Sequence, residues 1–311
     1  MMMLNYLKIT PWKNTRVYQI EHKVNVLERG ITKQSEVSYK WNIMPIYPLK
    51  DNKFLWSIDR TDFFINNNPP RTPHMEMIVG LESSLYPVQV WVDDLGRFSK
   101  INNYNIWHNQ WDKKVENLMS NFQGSFADSF FENFRNEVKK EEALTQKLFG
   151  QSIFSLMFFS PQIDYPIKEN STVEKLIWNP LKLGQYTFTG EFVAEKIESE
   201  SIVKTRFKHE STPERLLTQA INKLLGYKEL SADFIYSEDI QIKIDLTNCY
   251  SPDSGLPISK DIKIEIWSLK KKDYHYTETM NVKFEGIKLA HSQKPIEENK
   301  FSFFVSERDI D

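Results

Sequence analysis

Residues 86–101 read Tyr-Pro-Val-Gln-Val-Trp-Val-Asp-Asp-Leu-Gly-Arg-Phe-Ser-Lys-Ile. The alternating valines predict a strand, and the Asp-Asp-Leu-Gly sequence predicts a tight turn in which Gly96 can adopt a positive φ without a Cβ clash. After Ile101 the spacing of the apolar residues changes from that of a strand to that of a helix. Some fifty residues follow with helical spacing of their apolar side chains, and they end in the apolar run Ile153-Phe-Ser-Leu-Met-Phe-Phe. The sequence therefore predicts that an extended chain gives way to helices here.

The helical segment spans residues 105–160. Asn105 can cap its first helix, Gly124 separates a second, and Leu144, Leu148 and Phe149 continue a third. The run from Ile153 is apolar on all sides, which predicts burial at the centre of the core. The large aromatic residues of the segment, which we expect to line the interior, are Trp107, Trp111, Phe126, Phe130, Phe134, Phe154 and Phe158.

The flanking regions, residues 15–102 and 173–286, alternate between apolar and polar residues, which predicts long strands. Met75–Leu81 is predicted as one of these strands, and 234–246 as another. One helix interrupts the second region, with Ser211 or Thr212 as its N-cap, Pro213 at its first position and Gly226 at its end.

Long alternating strands indicate an antiparallel sheet with one wet face, and about twelve of them must curl. The predicted fold is therefore α+β, a large curved antiparallel sheet wrapped around the central helical segment. We expect one domain over residues 1–290. The charged residues 290–311 predict a loose tail.

The composition limits the functional classes. The chain has 40 basic and 42 acidic residues, so bulk charge gives no support to a nucleic-acid partner. Its single cysteine, Cys249, excludes an intramolecular disulfide. No apolar run is long enough to predict a membrane span, and the first residues do not resemble a secretory leader. These features predict a cytoplasmic protein, or one of the bacterial envelope if a leader has been trimmed.

The element order carries one resemblance. A strand, an Asp-x-x-Gly turn, a second strand, helices, further long strands and the late Asp253-Ser-Gly-Leu-Pro hairpin together resemble the LolA-like bacterial envelope proteins. That resemblance implies an incomplete β-barrel closed by helices, with an apolar cavity for lipid or lipoprotein acyl chains. The motifs are generic hairpin turns, so they imply no individual binding residues.

Motifs for chemistry are sparse. The six histidines form no His-x-x-x-His pattern, and the sequence has no phosphate-binding glycine loop, no Gly-x-Ser-x-Gly and no dinucleotide fingerprint. Asp93–Asp94 is better explained by its turn than by acid–base chemistry. We therefore predict no catalytic residues, no metal site and no cofactor.

The leading hypothesis is a non-catalytic binding or assembly protein whose interior could hold an apolar ligand or a segment of a partner protein. The aromatic excess of the helical segment motivates it, although the same residues could simply fill the core. The alternative is a hydrolase without a recognisable motif, whose site would gather at the loops 66–74 and 248–257. Whether the protein is an enzyme is left open, and the sequence favours that it is not.

Overall fold

One antiparallel sheet of eleven strands organises the chain. The computed structural model describes residues 5–28, 30–48, 53–165, 167, 171–227, 234–269, 274–288 and 303–304. The strands of the sheet are β1 Thr15–Glu28, β2 Ile31–Pro48, β3 Lys53–Ile65, β4 Val88–Asp93, β5 Phe98–Ile101, β6 Ser171–Trp178, β7 Tyr186–Ile197, β8 Ile202–Ser211, β9 Ile240–Tyr250, β10 Pro257–Ser268 and β11 Tyr274–Lys288.

The first and last strands of the sheet meet at its centre. The order is β5-β4-β3-β2-β1-β11-β10-β9-β8-β7-β6, and every neighbouring pair is antiparallel. β1 and β11 pair from Glu28–Tyr274 to Thr15–Lys288. The sheet is not closed, so β5 and β6 are its two edges. The predicted α+β fold with a large curved antiparallel sheet is confirmed.

Charged side chains at the two edges of the sheet interact electrostatically. Partial burial raises the pKa of the Glu174 carboxyl on β6, and the guanidinium of Arg97, next to β5, opposes that rise. A two-residue ladder joins Asn5–Tyr6 to Asp164–Tyr165, and Ile9 N donates to Asp94 O at the turn before β5. The N-terminal segment thus contacts the turn that precedes β5 and the residues that follow α5.

Six helices occur among the described residues, and four of them form the predicted central segment. Tyr104 begins that segment one residue before the predicted start, and Phe158 ends it two residues before the predicted end. The helices are α1 Pro73–Ser84, α2 Tyr104–Met119, α3 Ser125–Glu137, α4 Glu141–Phe149, α5 Ser152–Phe158 and α6 Arg215–Leu224.

α5 lies against the concave face of the sheet. Every residue from Ile153 to Phe158 is buried, as the all-round apolar sequence predicts. The ring of Phe154 meets Trp41 of β2 edge-on at a centroid distance of 4.9 Å, and Phe158 stacks on Trp56 of β3 at 6.2 Å. Each such aromatic side chain contributes on the order of 2 kcal/mol by leaving water.

The strand predicted over Met75–Leu81 is wrong, because these residues belong to helix α1. Thr72 Oγ1 accepts a hydrogen bond from Met75 N, and Pro73 occupies the first turn, where its missing N–H is not needed. His74 and Glu76 are therefore helical residues.

Two further boundaries differ from the predictions. The interrupting helix begins at Arg215 with Glu214 as its N-cap, because Ser211 still belongs to β8, where it pairs with Ile242. The strand predicted over 234–246 begins only at Ile240. The predicted tail, 290–311, lies outside the described residues apart from 303–304.

Candidate functional site

A large cleft opens between the concave face of the sheet and the helices. Its volume is about 940 Å³. The inner side chains of β1, β2 and β3 are fully buried where α5 covers them, as at Ile20, Trp41 and Ile58. Further along the same strands, Val24 and Val37 become half-buried. The helices therefore cover only part of the concave face, and the cleft lies over the rest.

The floor of the cleft is apolar. Strands β1, β2, β3 and β11 supply it through side chains that alternate inward. Tyr39 stacks on Phe63 at a centroid distance of 5.8 Å, which joins β2 and β3 across the floor. The apolar floor residues are Val24, Val37, Tyr39, Phe63, Ile65 and Met280.

The opposite wall carries a polar network from α1, α3, α4 and the start of α5. Lys147 Nζ lies 3.2 Å from Glu82 and 2.7 Å from Glu137. Burial lowers the pKa of Lys147, but the two carboxylates outweigh it, and the net shift is upward. Gln151 donates to Glu82 and accepts from the Tyr86 hydroxyl. The wall is thus internally paired, in contrast to the apolar floor.

Arg60 lines the cleft between the floor and the wall. Its guanidinium carbon lies 4.9–5.6 Å from the ring centroids of Tyr39, Phe63 and Tyr86. Arg60 Nη2 donates to Ser83 Oγ at 3.2 Å. Arg60 is therefore held in one place by aromatic faces and a hydroxyl.

A buried carboxylate lies beneath the cleft. Glu278 of β11 is only 2% exposed, and four side chains reach it. His22 Nε2 is 2.8 Å and Ser152 Oγ 2.7 Å from Oε1, whereas the Trp178 indole and the Tyr276 hydroxyl donate to Oε2. Burial raises the pKa of Glu278, but the bonds from His22, Ser152 and Trp178 outweigh it, so the pKa is lowered. His22 and Ser152 also line the cleft, which ties its floor to α5.

A second buried charge fixes the other end of α5. Lys260 of β10 is 1% exposed and donates to the carbonyls of Leu156, Met157 and Phe159 at 2.8–3.0 Å. Burial lowers the pKa of Lys260 to about 7. The adjoining cavity has a volume of only about 20 Å³, roughly that of a single water site. Among the described residues, the free space next to this end of α5 is therefore about that of one water molecule.

The structure divides the seven predicted aromatic residues into three groups. Trp107, Trp111 and Phe134 stack in series, with centroid distances of 5.8 and 6.3 Å. Phe126 stacks on Phe130, and Phe154 and Phe158 belong to α5. Phe130 and Phe134 line a pocket of about 240 Å³ that shares Glu82 and Lys147 with the cleft. Among the described residues that line the cleft itself, none of the seven is found.

The two loops considered for a hydrolase do not meet. The loop after β3 leaves the end of the sheet that carries the β1–β2 turn. The turn between β9 and β10 lies at the other end, where Ser254 O accepts from Thr10 N. Antiparallel pairing fixes these directions, so a site shared by residues 66–74 and 248–257 does not form.

The paired carboxylates Asp93 and Asp94 lie at the turn between β4 and β5. Asp93 Oδ1 accepts from Leu95 N and Arg97 N, so this carboxylate shapes the β4–β5 turn. Within the described ranges, no three His, Cys, Asp or Glu side chains converge as metal ligands would. The helices among the described residues include none that is both long and apolar enough to span a bilayer.

Alternation along the strands is the signal that could have identified the polar groups of this region. Arg60 is on the same face of β3 as Trp56 and Ile58, and Glu278 is on the same face of β11 as Tyr276 and Met280. A charged side chain on the apolar face of a strand is expected either to pair with a specific partner or to line a solvent-filled opening. The aromatic content of the helices instead predicted a ligand site among residues that are buried in the core or packed against it.

Comparisons with known proteins leave the function open. No family model matches the chain, and no curated protein matches it. Among solved structures, a porin-like protein from Bacteroides uniformis is similar at a TM-score of 0.15 and 10% identity, over 86% of this chain and 96% of that chain. A TM-score this low supports no argument about this protein.

Proposed function

We propose that this chain is a non-catalytic binding protein whose cleft holds a small molecule with a substantial apolar part. The observation that carries the proposal is the cleft of about 940 Å³ over an apolar floor whose side chains are partly exposed. Sites for small ligands typically have volumes of roughly 300–1,000 Å³ and combine apolar linings with a few placed polar groups. The LolA-like resemblance, an envelope location and a partner protein stay predictions.

The composition of the lining supports this ligand class. An apolar tail placed on Val24, Val37 and Phe63 would remove their remaining exposed apolar surface from water, which stabilises the complex by about 25 cal/mol per Å² buried. The polar wall is already paired through Lys147, so it needs no ligand to satisfy its charges. A ligand that lies along the floor therefore gains from burial without breaking these pairs.

Binding of an uncharged fluorescent probe, N-phenyl-1-naphthylamine, tests the proposal. We expect saturable fluorescence enhancement with the full chain. Ala143 of α4 lines the cleft, so Ala143→Trp should weaken probe binding at least tenfold by occupying its volume. The matched control, Thr187→Trp, places the same bulk on an exposed position of β7 and should bind as the wild type does.

Two results would overturn the proposal. The first is the absence of saturable binding to the wild type. The second is equal binding by wild type and Ala143→Trp when the variant is folded, as judged by its circular dichroism. Val37→Trp, which fills the cleft from the floor, provides a second variant if Ala143→Trp does not fold.

A further inference from the structure

Arg60 differs from Lys147, the paired cation of the cleft wall. Lys147 has two carboxylate partners, whereas no acidic side chain of the described residues lies within 4.0 Å of the Arg60 guanidinium nitrogens. Its Nε is buried and has no hydrogen-bond partner among the described atoms. The only side-chain bond of this guanidinium within the described residues is the one from Nη2 to Ser83 Oγ. Arg60 thus keeps unused donors in a partly dehydrated site.

The surroundings of Arg60 hold its charge in place without neutralising it. Burial raises the pKa values of Tyr39 and Tyr86, so both phenols are neutral under physiological conditions. The cleft carboxylates Glu82 and Glu137 are both bound to Lys147, and Glu82 also accepts from Gln151. Removing a guanidinium from water without a counterion is unfavourable, so a site of this kind favours an incoming anion.

We infer that Arg60 binds the anionic group of an amphipathic ligand, a carboxylate or phosphate ester at the end of an apolar chain. A guanidinium presents a planar fork of N–H donors that matches these oxyanions. The half-buried side chains that continue along the floor from Phe63 to Ile65 and Val37 would contact the chain of the same ligand. This inference rests on the proposed binding function and adds the chemical class of the ligand.

Competition against N-phenyl-1-naphthylamine at neutral pH tests the inference with three competitors. Decanoate carries both an anion and an apolar chain, 1-decanol carries the chain alone, and acetate carries the anion alone. We expect decanoate to displace the probe at concentrations about tenfold or more below those of 1-decanol, since hydrogen bonds to a charged group are the stronger class. Acetate should not displace the probe, because it does not occupy the apolar floor.

The residue is tested with Arg60→Gln and a matched arginine control. Arg60→Gln should abolish the preference for decanoate over 1-decanol, measured as the ratio of the two displacing concentrations. Arg16→Gln is the control, because Arg16 also lies over an aromatic ring, that of Phe284 at 3.9 Å, but does not line the cleft. That variant should keep the full preference. Arg60→Lys keeps the charge without the planar fork, and it should retain part of the preference. This variant provides the test if Arg60→Gln does not fold.

The outcomes separate the inference from the binding proposal. Failure of the probe to bind the wild type overturns the proposed function. Probe binding with equal displacement by decanoate and 1-decanol overturns only the role of Arg60, as does a decanoate preference that survives in Arg60→Gln. Displacement by acetate would show a site for free anions and would also overturn the amphipathic ligand.

Discussion

Polar residues at inward-facing strand positions distinguish this sheet from one that only encloses an apolar core. Four such residues on the inner faces of β1, β3, β10 and β11 each have a different environment. Glu278 has four donors, Lys260 has three carbonyl acceptors, and His22 is bound to Glu278. Within the described structure, Arg60 alone among these four residues combines the lack of a charged partner with a single hydrogen bond from its charged group. Because buried charges are usually paired, this difference separates the three structural groups from the ligand-binding candidate.

Replacement of Glu278 by Gln should destabilise the protein by about 3–5 kcal/mol at neutral pH, because one partner of a buried charge network is lost. The folded-state pKa of Glu278 is lowered below its usual 4.5. Its contribution is therefore present above that value and is lost as the pH falls through the lower folded pKa.

Urea unfolding of the wild type and Glu278→Gln at pH 7 and at progressively acidic pH measures this effect. The difference in unfolding free energy should shrink on acidification. Glu21→Gln, on the exposed face of β1, should change stability by no more than about 0.5 kcal/mol. A difference that grows on acidification would contradict the assignment.

Lys260 should give a pH dependence of the same sign, but in a more alkaline window. Its folded pKa of about 7 lies below its usual 10.5, so the unfolded chain binds more protons between these values. Stability therefore rises with pH in that window, with a limiting slope of about 1.4 kcal/mol per pH unit. Lys260→Met removes this titration.

The measurement is the wild-type minus Lys260→Met difference in unfolding free energy at pH 6.5 and pH 9.5. We expect the wild type to gain relative to the variant at the higher pH. A pH-independent difference would show that the three carbonyl acceptors keep the ammonium charged in the folded state.

Among the elements, α5 links the helical segment to the sheet. The sequence predicts its burial well, because a helix that is apolar on all sides can be accommodated only in a core. α1 was predicted incorrectly, because the seven largely apolar residues Met75–Leu81 are compatible with both strand and helix patterns. The N-cap bond from Met75 N to Thr72 Oγ1 and the packing of α1 on α2 resolve that ambiguity.

Phe154→Ala should cost about 3–5 kcal/mol in unfolding free energy, because it removes a fully buried ring that contacts Trp41, Phe149 and Phe158. Phe64→Ala is the matched control. Phe64 is 38% exposed, so its replacement should cost less than about 1 kcal/mol. Equal costs in chemical denaturation would contradict the central position of α5.

At the scale of the whole molecule, the β1–β11 ladder joins the two halves of the sheet. It connects β2–β5, from the first third of the chain, to β6–β10, which follow the helices. We propose on this basis that the described strands form one domain, as the sequence predicts for residues 1–290. A contiguous cluster of buried residues extends through both halves.

One domain implies one cooperative transition. Ile264→Ala in β10 removes a buried side chain and should lower stability by about 2–5 kcal/mol. Hydrogen exchange followed by mass spectrometry in moderate urea should then show β3 and β10 losing protection together, by the same free energy. Loss of protection in β10 without change in β3 would indicate two independent units.

The sequence by itself determined the strand faces, the position of the helical segment and the burial of α5, because these depend on the local period of apolar residues. Tertiary structure alone decided which charged groups meet. Glu278 and His22 are 256 residues apart in the chain, and only the β1–β11 ladder brings their side chains together. It also decided that the helices leave part of the concave face uncovered, since the cleft depends on how far the packed elements extend and not on any local pattern.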